Sequence, residues 1–119
     1  MTSEHNFINH REYVKKYMLD KMGIESLSNL SLEDKTRLTK EFIICIMSEC
    51  DEILREVPWK FWKNYSDFNF SEEKLKFELI DLQHFVNDLF MIWDMEPEEI
   101  NSLFAQKLKI NVGRQENNY

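Results

Sequence analysis

The sequence predicts an all-α fold, a bundle of about four main helices in a single domain over residues 1–119, and three observations carry that reading. Only 2 Gly and 2 Pro occur in 119 residues, too few turn formers for a sandwich or barrel. Hydrophobic residues make up 43% of the chain, and they recur mostly at intervals of three and four. The mass of 14.5 kDa fits one ordinary domain.

The first helix is expected from Phe7 to Met22. Phe7, Ile8, Tyr13, Val14, Tyr17 and Met18 recur there with rough helical spacing among Arg11, Lys15 and Lys16, and Gly23 supplies a left-handed stop. Ile24 to Leu30 is a connection. Ser31-Leu32-Glu33-Asp34 resembles a capping box with Asp in place of Glu. The helix it opens carries the stripe Leu38, Phe42, Cys45, Ile46 and Ile53 and runs to about Val57, where Pro58 stops it. Trp59 to Phe70 form an aromatic and basic loop. A third helix begins near Ser71, with Glu72 and Glu73 at the end the macrodipole favours for acids, and continues to Trp93. Pro97 suits the first turn of a fourth helix, expected from Glu98 to Val112 with Gly113 ending it. The tail from Arg114 is polar.

Composition narrows the function. Acids outnumber bases 22 to 15, a net charge of -7, so a nucleic-acid polymer is an unfavourable partner. Cys45 and Cys50 stand about 7.5 Å apart along a helix axis and should not bridge, as expected of reduced thiols in a cytoplasmic protein. The first six residues lack a hydrophobic targeting core, and the longest apolar run, Phe42 to Met47, is too short to cross a membrane. With 9 Phe, 4 Tyr and 3 Trp, some apolar surface should face a second subunit. His5 and His10 read as surface residues, and Asp88 as solvent-facing or a dimer contact.

Two carboxylate pairs share one spacing. Glu49 and Glu52 lie three apart on the second helix, Glu78 and Asp81 three apart on the third, so each pair projects from one face. Glu49 interrupts the stripe between Ile46 and Ile53, and Glu78 leads into Leu82, Phe85 and Leu89. If the helices pack by these stripes, four acids converge in the interior. Such a cluster needs raised pKa values or a counter-ion, and oxygen-rich sites of this kind suit Mg²⁺ or Mn²⁺. The alternative is a solvated charged face, common when 31% of residues are charged.

Pro58-Trp59-Lys60-Phe61-Trp62-Lys63, then Phe77 to Phe85 with Glu78, Asp81 and His84, then Lys107 to Asn111 and Arg114-Gln115 through Tyr119 resemble one family in order. It is the all-α nucleoside triphosphate pyrophosphatases of the dimeric dUTPase type, and within it the T-even phage dCTPase–dUTPase group. The resemblance covers about Glu49 to Tyr119. It implies a homodimer that hydrolyses a deoxypyrimidine triphosphate, dUTP or dCTP, to the monophosphate and pyrophosphate with Mg²⁺, Mn²⁺ being possible. On matching positions it implies metal ligation by Glu49, Glu52, Glu78 and Asp81, with Glu49 as the catalytic base. It implies phosphate contacts from Lys107, Asn111, Arg114 and Tyr119, and a nucleotide pocket formed by Trp62, Lys63, His84 and Asn87. The amino-terminal third departs from the pattern: the Gln- or Asn-bearing motif that reads the pyrimidine has no clear counterpart, Asn6, Asn9 and His10 being the polar cluster there. Two alternatives stand beside this reading: a MazG-like pyrophosphatase for purine or non-standard nucleotides, and a non-catalytic helical interaction protein on the same scaffold.

Overall fold

The computed structural model describes residues 2–117, and every regular element among them is helical. Helix α1 spans Glu4–Tyr13, α2 Leu32–Arg55, α3 Glu72–Ile92 and α4 Pro97–Glu116. Three of the four helices start on the same chemistry. The hydroxyls of Ser3, Ser31 and Ser71 accept from the N–H groups of Asn6, Asp34 and Lys74 at 3.2, 3.0 and 3.2 Å, each satisfying a donor that has no partner inside its helix. The fourth start has no side-chain cap and uses Pro97 in the first turn.

The first helix differs from its expected form. After Tyr13 it widens into a π-helical turn, Val14–Met18, where Leu19 N–H donates to the Val14 carbonyl at 3.2 Å. The chain then turns at Gly23, whose φ of 71° is the left-handed conformation expected there. Ile24 and Leu27 of the following connection are buried, and the Arg37 guanidinium ties the turn to α2 by donating to the Met22 carbonyl at 3.2 Å.

Helices α2 and α3 form the spine, and their side-chain pairs give its direction. Near the start of α2, Lys35 pairs with Asp94 at 3.3 Å, and the Thr39 hydroxyl accepts from the Trp93 indole at 2.9 Å. Past its end, Glu56 pairs with Lys74 at 3.4 Å. The helices are therefore antiparallel. Midway, the rings of Phe42 and Phe85 meet at 6.4 Å, which sets Glu49 and Glu78, each seven residues away, level with one another. Helix α1 crosses this pair, burying Phe7 against the core, while Val14 is buried in the turn that follows it. Leu38, Phe42, Met91 and Ile92 complete that core.

Helix α4 behaves differently. It continues through Gly113, which keeps a right-handed helical backbone and so does not end it. None of its residues is buried, and Leu103, Phe104, Leu108, Ile110 and Val112 are exposed. The Cα radius of gyration is 17.8 Å, against about 13.5 Å for a compact chain of this length. Among the described residues no helix is long and apolar enough to cross a membrane.

Candidate functional site

The antiparallel register brings the acids of α2 and α3 together. One carboxylate oxygen each from Glu49, Glu52 and Glu78 lies within 4.8 Å of the others. Asp81 stands outside that group, one turn along α3, close enough for its charge to act on Glu49. The cluster sits at the rim of the spine and not in its interior, as the stripe argument had it: Glu49 and Glu78 are half-buried, Glu52 and Asp81 exposed. The α2 stripe explains this, since Leu38 and Phe42 are buried while Cys45, Ile46 and Ile53 further along are only half-buried.

The electrostatics of the cluster are unfavourable without a cation. Burial, a hydrogen bond shared with Glu78, and the charges of Glu52, Glu78 and Asp81 push the Glu49 carboxyl up to about 7. Glu49 Oε2 and Glu78 Oε2 are shielded from solvent and have no hydrogen-bond partner. Convergent carboxylates with unsatisfied acceptors are the donor set that Mg²⁺ or Mn²⁺ prefers, so these residues fit a hard divalent cation.

A cavity of about 360 Å³ opens beside the acids. Glu49, Asp81, His84, His10 and Asp88 supply its polar wall, and Phe42, Phe85, Val14, Met18 and Met22 its apolar one. His10, Tyr13 and His84 also border a neighbouring cavity of about 750 Å³, into which Asn6, Asn9, Gln83 and Asn87 face. The polar cluster of the amino-terminal segment is therefore gathered next to His84. Asn87 is fully buried; its amide donates to the Thr2 hydroxyl and accepts from Gln83, both at 3.1 Å.

His10, expected at the surface, and Asp88, expected solvent-facing or at a dimer contact, both turn away from solvent. The side chains of His10 and Asp88 are only 10% and 12% exposed, with Nε2 and Oδ1 3.2 Å apart. The signal was present in the spacing. His10 stands three after Phe7 and four before Val14, and Asp88 three before Met91 and four before Ile92, all four of them buried.

Residues expected on the phosphates are not gathered at the acids within one chain. Lys107 borders a cavity shared with Asn87 and Phe104, whereas Asn111 and Arg114 lie exposed on the last turns of α4. None of the three lines the carboxylate cavity. Tyr119 lies outside the described residues. Trp62 is exposed in the loop, edge-on to Trp59 at 5.9 Å and to Phe61 at 5.1 Å. Lys63, also exposed, has its Nζ 5.9 Å from the Tyr65 ring centroid. The two cysteines are free, as expected.

A sequence model of the dUTPase family matches residues 13–100, a span that contains all four acids and the Trp-Lys loop. The chain belongs to the all-α dUTPase family. It is 37% identical over 73 residues to the dCTP pyrophosphatase of Enterobacteria phage T4, an alignment that takes in 51% of this chain and 42% of the phage protein. This chain thus spans less than half the length of that relative. No solved structure gives a significant match. Membership agrees with the resemblance in the Trp-Lys loop and the acidic helix, and with the all-helical fold.

Proposed function

We propose that this chain is a Mg²⁺-dependent pyrophosphatase for deoxypyrimidine triphosphates, cleaving dUTP or dCTP to the monophosphate and pyrophosphate. One observation carries the reading: in a dUTPase-family chain, three carboxylates converge within 4.8 Å and two of their oxygens are buried without partners. Glu49, Glu52 and Glu78, joined by Asp81, would hold the cation. When bound, it would neutralise phosphate oxygens and acidify a water.

The chain's own groups supply the rest. The role of accepting a proton from an attacking water is assigned to Glu49, which stands in the cluster beside Glu52 and Glu78. His84 stands beside the apolar wall of Phe42 and Phe85, where a base can stack. Lys107, Asn111, Arg114 and Tyr119 are assigned to the phosphates, and Trp62, Lys63 and Asn87 to the edges of the nucleotide pocket. The name of the T4 relative supports a pyrimidine substrate.

A homodimer belongs to the same proposal. The chain exposes 9188 Å², against about 6,900 Å² for a compact monomer of its mass. The excess exceeds the roughly 800 Å² per partner of a standard interface. Much of it lies on the apolar positions of α4 and on Phe61, which is 94% exposed. Pairing α4 with a second copy would cover these and carry the phosphate-binding residues into a shared site.

The test is product analysis by phosphorus NMR over a panel of deoxynucleoside triphosphates with Mg²⁺. Pyrophosphate and monophosphate from dUTP or dCTP are expected. Turnover confined to purine nucleotides would overturn the pyrimidine assignment in favour of the MazG-like one, and no turnover of any nucleotide would leave the non-catalytic reading.

A further inference from the structure

The carboxylate cavity has a second polar end. Asp88 follows Asp81 by seven residues on α3, two turns or about 10.5 Å along the axis. Among the described residues, the buried side-chain atoms without a hydrogen-bond partner are Glu49 Oε2, Glu78 Oε2, His10 Nδ1 and Asp88 Oδ1. Two belong to the acid cluster and two to this far end. Between them the wall is apolar, with the facing rings of Phe42 and Phe85.

The far end is built from three helices. His10 of α1 lies 3.2 Å from Asp88 of α3, close enough to attract the carboxylate but not aligned to bond it. The His10 ring packs at 4.7 Å on that of His84, one turn before Asp88. On the α2 side, Cys45 and Glu41 are the neighbouring titratable groups. An acid-lined end, an aromatic middle and an acceptor about one nucleoside's length away match a nucleotide lying along α3, phosphates toward Glu49 and base toward Asp88.

We propose that Asp88, braced by His10, is the specificity-determining residue of this pocket and selects a base with an exocyclic amine, cytosine, over one with a carbonyl there, uracil. The proposal rests on the pyrophosphatase reading above. An ionised carboxylate offers only acceptors. It pairs with the N4 amine of cytosine, as Asp and Glu do when they read that base in nucleic acids. Against the O4 of uracil it sets acceptor against acceptor, and both lose water without gaining a bond. His10 acts through Asp88, as a positioning residue.

The experiment compares kcat/KM for dCTP and dUTP on the full chain with Mg²⁺. The unaltered protein should favour dCTP by about ten- to a hundredfold, the discrimination typical of one matched polar pair. Asp88→Asn, nearly isosteric and able to donate to O4, should lower that ratio at least about tenfold, mostly through KM. His10→Phe should keep the ring packing on His84 and lower the ratio in the same direction. Should either variant fail to fold, N4,N4-dimethyl-dCTP on the unaltered protein gives the same answer, because it keeps the ring and removes the donors: it should lose as much efficiency as dUTP does. Equal use of dCTP and dUTP, a preference for dUTP, an unchanged ratio in folded Asp88→Asn, or full activity on the dimethyl analogue would each overturn the selection and leave the pyrophosphatase reading standing. No turnover of any deoxynucleotide would overturn that reading, and the selection with it.

Discussion

Replacing Glu49 by Gln should stabilise the metal-free protein at alkaline pH and do nothing for it in acid. The Glu49 carboxyl is raised from 4.5 to about 7 by burial, by the hydrogen bond shared with Glu78 and by the surrounding carboxylates. Between those values the folded state binds the proton more tightly than the unfolded chain does. Stability therefore falls as pH rises through that window, and the full penalty is present above it. At about 1.4 kcal/mol per pH unit the bound is roughly 3 kcal/mol. The site opens to solvent, and screening brings the expected effect down to about 1 kcal/mol. For a chain of this size that corresponds to about 4 °C in Tm. Gln keeps the shape and cannot ionise, so it removes the penalty. Thermal melts in EDTA, followed by circular dichroism, should show the variant about 4 °C above the unaltered protein near pH 8 and level with it near pH 4. A variant that melts at or below the unaltered protein near pH 8, or gains equally at both pH values, would refute the electrostatic reasoning.

Three further outcomes follow from the packing. Leu38 is fully buried where α2 meets the core, so Leu38→Ala should cost about 2–4 kcal/mol in urea unfolding, with the midpoint and not the slope moving. Ser31→Ala removes the 3.0 Å cap on Asp34 N–H and should cost about 1 kcal/mol by the same measurement. Phe104→Glu, at an exposed apolar position of α4, should shift the proposed dimer to monomer in sedimentation equilibrium while leaving helical content unchanged.

Legibility in the sequence followed locality. Ser31, Ser71 and Pro97 act within a few residues of themselves, and the helix starts expected there agree with the structure to within one residue. The first helix is the exception: it starts on Ser3 at Glu4, three residues before the expected Phe7, and passes into the π-helical turn Val14–Met18, a wider hydrogen-bonding pattern that no local residue announced. Gly113 misled for a related reason: a glycine marks a helix end only where it takes the left-handed conformation, and Gly113 stays helical while α4 runs on to Glu116. The acids were legible because two pairs at one spacing interrupt apolar stripes. Their depth was not, since how far a stripe is buried depends on what packs over it, and no residue of α4 lines the cavity beside the acids. The His10–Asp88 pair joins residues 78 positions apart. Each occupies a buried face by its own spacing, yet only the crossing of α1 over α3 makes them neighbours.

The central claim, that Glu49, Glu52 and Glu78 hold a divalent cation for the reaction, is tested most directly by Mn²⁺ binding followed by electron paramagnetic resonance. The unaltered protein should bind Mn²⁺ saturably and release it to excess Mg²⁺. Glu49→Gln and Glu78→Gln should each lose that binding while retaining the helical spectrum. Binding that survives in both folded variants, or none in the unaltered protein with or without nucleotide, would contradict the assignment.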